Sequence, residues 1–263
     1  MKYVLVTGAC GGMGKAVCER LKNNGYTVFA LDRKSIEAQE NIIPVICDIT
    51  DENAVISAFE QVKSQTDELY AILHFSGIYT LNSLLEIGEE EFVRTFDVNL
   101  FGVYRINKIF LPLLKSGSRI VITTSELAPL SPLPFTGLYA VSKSALDKYA
   151  YSLRMEVQLL GISVSVLRPG AVKTDMLPVS TKALDNFCEN TTLYSCNAKR
   201  FRKIVDSVEA RNITPDKIAD KTAKILGSKK PKQVYKINRN PLLLMLNILP
   251  KRLATFIIKK ILE

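Results

Sequence analysis

The chain has 263 residues, 47% hydrophobic and 23% charged, with 35 Lys and Arg against 26 Asp and Glu. That length allows one large domain with a sizeable core, and this balance of apolar and charged residues excludes a disordered chain. The excess positive charge is local: from Asn197 onward there are 17 Lys and Arg against 5 Asp and Glu, so the first 196 residues are slightly acidic. A basic end can meet anionic lipid or a partner protein, or remain solvated surface. No aromatic-interleaved basic run or zinc-finger spacing accompanies it, so nucleic acid is not an expected partner. Five cysteines without C-x-x-C spacing suit free thiols in a reducing compartment. The opening MKYVLVTG enters a strand-like run at once, and no run reaches about twenty apolar residues. A cytoplasmic protein is the expectation.

In chain order, short β-branched runs alternate with longer helical ones. Tyr3–Thr7, Thr27–Leu31, Ile42–Cys47, Leu69–Phe75, Arg119–Thr124 and Ser163–Leu167 read as strands, and Gln233–Ile237 could be a seventh. Between them Gly14–Asn24, Glu52–Gln65, Glu89–Lys115 and Tyr139–Leu160 have helical period and length. Strands that are apolar throughout, alternating with helices, predict an α/β fold: one doubly wound parallel sheet of about seven strands with helices on both faces. Residues 1–239 form the expected domain, with a polar, weakly patterned stretch at 175–212 as a lid. Residues 240–263 form an amphipathic tail.

The first strand runs into Thr7-Gly8-Ala9-Cys10-Gly11-Gly12-Met13-Gly14 and then a helix. Glycines at such a turn let the backbone approach a pyrophosphate, which then meets the helix N-terminal N–H groups. Asp32 closes the second strand, where an acid accepts from adenosine ribose hydroxyls and repels a 2′-phosphate. NAD(H) is therefore expected over NADP(H), although Arg33 and Lys34 could offer a phosphate a partner.

The spacing T-G-x-x-x-G-x-G, with Tyr139-x-x-x-Lys143, resembles the short-chain dehydrogenase/reductase family over roughly residues 1–240. Further motifs follow in the family's order. Asp48-Ile49 resembles the position at the adenine ring, and His74-Phe75-Ser76-Gly77 falls where the family usually has Asn-Asn-Ala-Gly. Asn99 matches a catalytic asparagine, and Ser125 a catalytic serine at the end of the fifth strand. Pro169-Gly170-x-Val172-x-Thr174 matches the loop that receives the nicotinamide carboxamide. The resemblance thus implies cofactor contacts from Gly8, Gly12, Met13, Gly14, Asp32, Asp48, Ile49, Ser76, Gly77, Tyr139, Lys143, Pro169, Gly170, Val172 and Thr174. Two departures stand out. His74 replaces an asparagine that usually braces the central strand, and reads as its structural substitute. Ser125 lies fourteen residues before Tyr139, one more than is common, with Thr124 as a rival farther away.

Moving a hydride between an alcohol and nicotinamide requires a proton to leave or join the same oxygen. A free tyrosine holds its proton too tightly at neutral pH, and a lysine one turn away favours the phenolate. Tyr139 is then the expected acid/base and Lys143 its electrostatic tuner and ribose ligand. Ser125 would hold the substrate oxygen, and Asn99, by resemblance, would hold a water that relays protons from Lys143.

The stretch Glu126–Leu138, ELAPLSPLPFTGL, precedes the tyrosine and should wall the substrate site. Leu127, Leu130, Phe135 and Met176 are the expected substrate contacts, and their apolarity points to a hydrophobic secondary alcohol or ketone, steroid- or retinoid-like. A 3-oxoacyl-carrier-protein reductase and a non-catalytic cofactor-sensing protein are the alternatives. In the tail, Leu253, Phe256, Ile257 and Ile261 share one stripe among lysines. Such a helix suits a membrane interface, a partner subunit or the protein's own body. Homo-dimers or homo-tetramers are common in the family and are expected here.

Overall fold

The computed structural model describes residues 2–174, 176–209 and 211–263, with the side chains of 176–181 and 206–209 outside the description. The strands are β1 (Lys2–Thr7), β2 (Tyr26–Asp32), β3 (Ile42–Ile46), β4 (Leu69–His74), β5 (Leu114–Thr123), β6 (Ser163–Pro169) and β7 (Val234–Ile237). They pair in parallel in the order β3-β2-β1-β4-β5-β6-β7. Because the order reverses between β1 and β4, the connections leave in opposite directions there and open a crevice at the strands' carboxyl ends. Thr7 pairs with Leu31 on one side and His74 on the other, so the turns after β1 and β4 face each other across it.

Both faces are covered, as strands apolar throughout require. On one face Leu5, Phe29, Ile72, Ile120 and Val164 pack with Val55 of α2 (Glu52–Lys63), Ile106 of α4 (Gly102–Phe110) and Leu146 of α5 (Gly137–Val157). On the other, Val4, Val28, Leu73 and Leu167 pack with Val17 of α1 (Gly12–Asn23) and Ile218 of α8 (Pro215–Gly227). Pro44 sits in β3, an edge strand, where its missing N–H leaves no ladder bond broken.

Three expectations need correction. The helix read as Glu89–Lys115 is α3 (Glu89–Phe96), a π turn over Asp97–Phe101, and α4; Lys115 already lies in β5. Leu114 pairs with Leu69, so the strand begins before Arg119. The stretch read as weakly patterned forms two helices, α6 (Met176–Asn190) and α7 (Ser195–Glu209), with residues 175 and 210 outside the description. Leu184, Phe187, Ala198 and Phe201 form a small second core with Leu81 and with Leu262 of the tail.

The tail is α9 (Pro241–Ile248) and α10 (Lys251–Leu262), and it folds back on the body. Ile258 and Leu262 of α10 pack into the lid core, while Leu262 O accepts from Asn197 Nδ2 at 2.8 Å. Leu253, Phe256 and Ile261 remain exposed. So α10 carries two apolar stripes, and the one read from the sequence is largely the outward one.

His74 is buried at the end of β4, and its Nε2 lies 2.9 Å from Asn107 Oδ1. Since Asn107 Nδ2 donates to Tyr149 Oη, its oxygen faces the histidine, which fixes the proton on Nε2. Burial drives the His74 pKa down to about 4, from an ordinary value near 6.5. Between those values the unfolded chain binds a proton that the folded chain does not, so stability falls as pH drops through that window. One such proton accounts for at most about 1.4 kcal/mol per pH unit. We expect His74→Asn, which keeps an amide in the same place, to flatten the urea-unfolding free energy between pH 6.5 and 4. An unchanged slope would assign that pH dependence elsewhere.

Candidate active site

The crevice at the switch point is lined by the glycine turn. Gly8 has φ of +70°, and a Cβ there would meet Ser76 N at 2.6 Å; one on Gly12 would meet Thr174 Cβ at 2.8 Å. A Cβ on Gly14 would collide with Gly8 O. These three positions therefore need glycine on steric grounds. The cleft has a volume of about 1050 Å³ and runs past Asp32, Asp48 and Ile49 on one side and Ser76, Gly77 and Thr174 on the other. A turn that no side chain could occupy, opening on a cleft of this length, fits a dinucleotide.

Asp32 does not face that cleft as a free carboxylate. Its Oδ2 accepts from Cys10 N at 3.0 Å and its Oδ1 from Lys34 N at 3.1 Å. It thereby ties the glycine turn to the β2 exit, and Arg33 and Lys34 line the same cleft. Asp48 is exposed to the cleft, and its Oδ1 accepts from both Thr50 N and Thr50 Oγ1, which holds its carboxyl below the usual range. Ile49 wedges under Gly102, the first residue of α4, where a Cβ would meet it.

At its inner end the cleft meets a smaller cavity of about 180 Å³, and Met13, Phe75, Ser76, Gly77, Ile78, Tyr79 and Thr174 border both. Ser125, Tyr139 and Lys143 line it. Tyr139 and Lys143 sit on the first turns of α5, with Lys143 Nζ 5.8 Å from the tyrosine ring centre and the Tyr79 ring edge-on at 4.7 Å. Ser125 follows β5, takes a hydrogen bond from Leu127 N at 3.1 Å, and lines the same cavity as Tyr139. Thr124, the rival, instead donates to Asp147 Oδ1 at 3.3 Å.

Asn99 lies in the π turn, completely buried. Its Oδ1 accepts from Ile78 N at 2.8 Å, while Nδ2 donates to Ile78 O and Ser142 Oγ, each at 3.0 Å. The side chain is a brace between the Gly77–Ile78 turn and α5. Gly77 is where these parts meet, since a Cβ there would lie 3.1 Å from Lys143 Nζ and 3.2 Å from Asn99 Oδ1.

Burial governs the titration of the pair. It pushes the Tyr139 phenol up to about 12, against a smaller downward pull from Ser125, and brings the Lys143 ammonium down to about 8. Among the chain's own residues desolvation outweighs the pull expected of Lys143; the other part of that expectation is the positive nicotinamide ring.

The chain matches the model of the short chain dehydrogenase family over residues 2–185. It belongs to that family. Among curated proteins, a 3-ketodihydrosphingosine reductase from Bacteroides thetaiotaomicron is 26% identical over 231 residues, 88% of this chain and 85% of the relative. An NADPH-dependent 3-dehydrocapnine reductase from Ornithobacterium rhinotracheale is 28% identical over 249 residues, 89% of this chain and 87% of the relative. The crystal structure of a short chain dehydrogenase family protein from Francisella tularensis superposes with a TM-score of 0.76 at 24% identity, covering 90% of this chain and 98% of that one. This dehydrogenase is therefore an NAD(P)(H)-dependent oxidoreductase acting on CH–OH donors. Asp32 does not decide between NAD(H) and NADP(H): its two oxygens each accept one backbone N–H and keep a lone pair toward the cleft, which Arg33 and Lys34 also line.

The expected substrate contacts divide. Leu127 lines the cavity; Leu130 and Phe135 do not border it. Phe135, at φ +65°, packs against Phe187, Tyr194 and Phe201 and so joins α6 and α7 to the loop before α5. The Met176 side chain lies outside the described residues. Sequence reasoning missed Tyr79 and Leu243 and took Glu126 only as the start of the wall stretch, yet all three border the cavity. Glu126 carried a signal, as the acid inside an apolar, proline-rich stretch; Leu243 of the tail carried none.

Proposed function

We propose that this dehydrogenase interconverts a hydrophobic, lipid-like ketone and its secondary alcohol, with NADPH as the reductant. The observation that carries this reading is one continuous space: Ser125, Tyr139 and Lys143 face an apolar cavity that opens into the glycine-lined cleft. Gly8, Gly12, Gly14, Ser76, Gly77, Pro169, Gly170, Val172 and Thr174 would hold the dinucleotide, with Arg33 and Lys34 beside a 2′-phosphate. The bound nicotinamide supplies the hydride. Ser125 donates to the substrate oxygen and orients it. Tyr139, protonated at neutral pH, delivers its proton to that oxygen during reduction and takes it back during oxidation. Lys143 stabilises the phenolate left behind and can replace its proton, since both side chains line the same small cavity. Asn99 acts by fixing that turn.

Two features of the surface support further parts of the reading. Phe101 and Tyr104 on the π turn and α4, with Tyr151 and Met155 on α5, are large exposed apolar side chains, and we propose that these helices bury them in a homo-oligomer. Leu242, Met245 and Ile248 of α9 and Leu253, Phe256 and Ile261 of α10 are exposed as well, beside Lys251, Arg252, Lys259 and Lys260. No helix among the described residues is long and apolar enough to cross a membrane. We propose that this face rests on an anionic lipid surface.

Tyr139→Phe should lower ketone reduction by several orders of magnitude, while fluorescence titration shows NADPH bound as in the wild type and more tightly than NADH. Near-normal turnover would sink the mechanism, and tighter NADH binding would restore the Asp32 argument. On the surface side, the full chain should float with vesicles containing phosphatidylglycerol and not with phosphatidylcholine alone. The triple variant Leu253→Asp, Phe256→Asp, Ile261→Asp should stay in the pellet; equal flotation of both proteins ends the membrane reading.

A further inference from the structure

Glu126 follows Ser125 directly, and its carboxyl forms part of the same cavity wall. The residue is only 7% exposed. Its main-chain N donates to Pro169 O at 2.8 Å, and its Oε2 accepts from Asn240 N at 2.7 Å, at the start of α9. Oε1 has no hydrogen-bond donor among the described residues. It lies over Gly170, where an added Cβ would come within 2.8 Å of it. The same Cβ would collide with Asn238 O, so glycine at 170 lets this carboxyl oxygen and the Asn238 backbone pack closely over it.

A carboxyl with one oxygen satisfied and the other facing an apolar wall is a costly arrangement. Tethering the tail requires only one acceptor, which an amide would provide equally well. Burial raises the Glu126 carboxyl above the usual range, while Asn240 N–H and the charge of Arg239 pull it back. No side chain among the described residues forms an ion pair with it. What completes such a group is a ligand that both donates a hydrogen bond and carries positive charge. An ammonium does both; a hydroxyl does only the first.

Position sets where that ammonium must be. Ser125 and Glu126 border the same cavity of about 180 Å³, so a ligand small enough to enter it and held by Ser125 carries its ammonium close to the carbonyl. Beyond it, Phe75, Ile78, Leu127, Val172 and Leu243 make the rest of the wall apolar. We infer that Glu126 Oε1 is a subsite for an ammonium carried next to the reacting carbonyl, so that the preferred substrate is an amphiphilic amino ketone with an apolar chain. The inference rests on the ketone reductase reading above and narrows its substrate.

The test compares three ketones of equal chain length, with an amine, a hydroxyl or hydrogen on the carbon beside the carbonyl, in the wild type and in Glu126→Gln. Glutamine keeps an oxygen for Asn240 N and turns an NH2 toward Gly170, so the tail tether survives while the open acceptor does not. For the wild type, kcat/KM should favour the amine over the plain ketone by at least about ten-fold. In Glu126→Gln that ratio should fall toward one, with KM for the amine carrying most of the change. Turnover of the plain ketone without preference for the amine overturns the subsite and leaves the reductase reading intact. Equal preference for amine and hydroxyl overturns it too, as does a variant that slows all three ketones alike with a lowered melting temperature, since that marks a tether alone. If the wild type reduces none of the three with NADPH or NADH, both readings fall.

Discussion

The site depends on one buried amide. Asn99 spends its hydrogen bonds on both sides of the Gly77–Ile78 backbone and on Ser142, and so fastens the turn after β4 to α5. That turn borders the dinucleotide cleft and the substrate cavity together, and α5 carries Tyr139 and Lys143. An amide of a regular helix between α3 and α4 would point along a different direction, because each residue advances about 100°. The π turn over Asp97–Phe101 supplies the extra residue that swings Asn99 inward. A local irregularity with a poorer helical ladder is held in place by three tertiary hydrogen bonds, which are worth more in the buried interior than at the surface.

The same burial creates the electrostatic tension of the site. Removing Tyr139 and Lys143 from water disfavours the charge on each, raising one pKa and lowering the other. A phenol that keeps its proton is a competent donor to a ketone oxygen, whereas oxidation needs a further positive charge nearby to favour the phenolate.

Much of the architecture was legible because strands covered on both faces must be apolar throughout, and glycine turns admit no substitutes. The motif residues Ser125, Tyr139, Lys143 and Gly77 meet at one cavity for the same reason: each is fixed relative to a strand end or a first helical turn. What stayed hidden depended on tertiary direction. Leu130, Phe135 and Leu127 look alike in an apolar loop, yet only Leu127 turns into the cavity; Phe135 adopts a left-handed backbone and joins the lid aromatics instead. The π turn has no signature in the 3.6-residue period, since Asp97–Phe101 continues the helical pattern around it. Asp32 was placed correctly, but its engagement by Cys10 N and Lys34 N depends on loop geometry that spacing does not record.

The tail joins these themes. Its charge and apolar stripes are readable as surface chemistry, but its contribution to the site is not, because Leu243 reaches the cavity only through the Glu126–Asn240 link and the Asn240 cap of α9. Asn247 adds a second link by accepting from Ser131 N at 2.7 Å, in the proline-rich loop. Helix α9 thus presents Leu243 to the substrate cavity and Leu242, Met245 and Ile248 to the outside. A single short helix with apolar residues on both sides is thus set between the cavity and a basic exterior, so the proposed substrate wall and the proposed lipid-facing surface are two sides of one element.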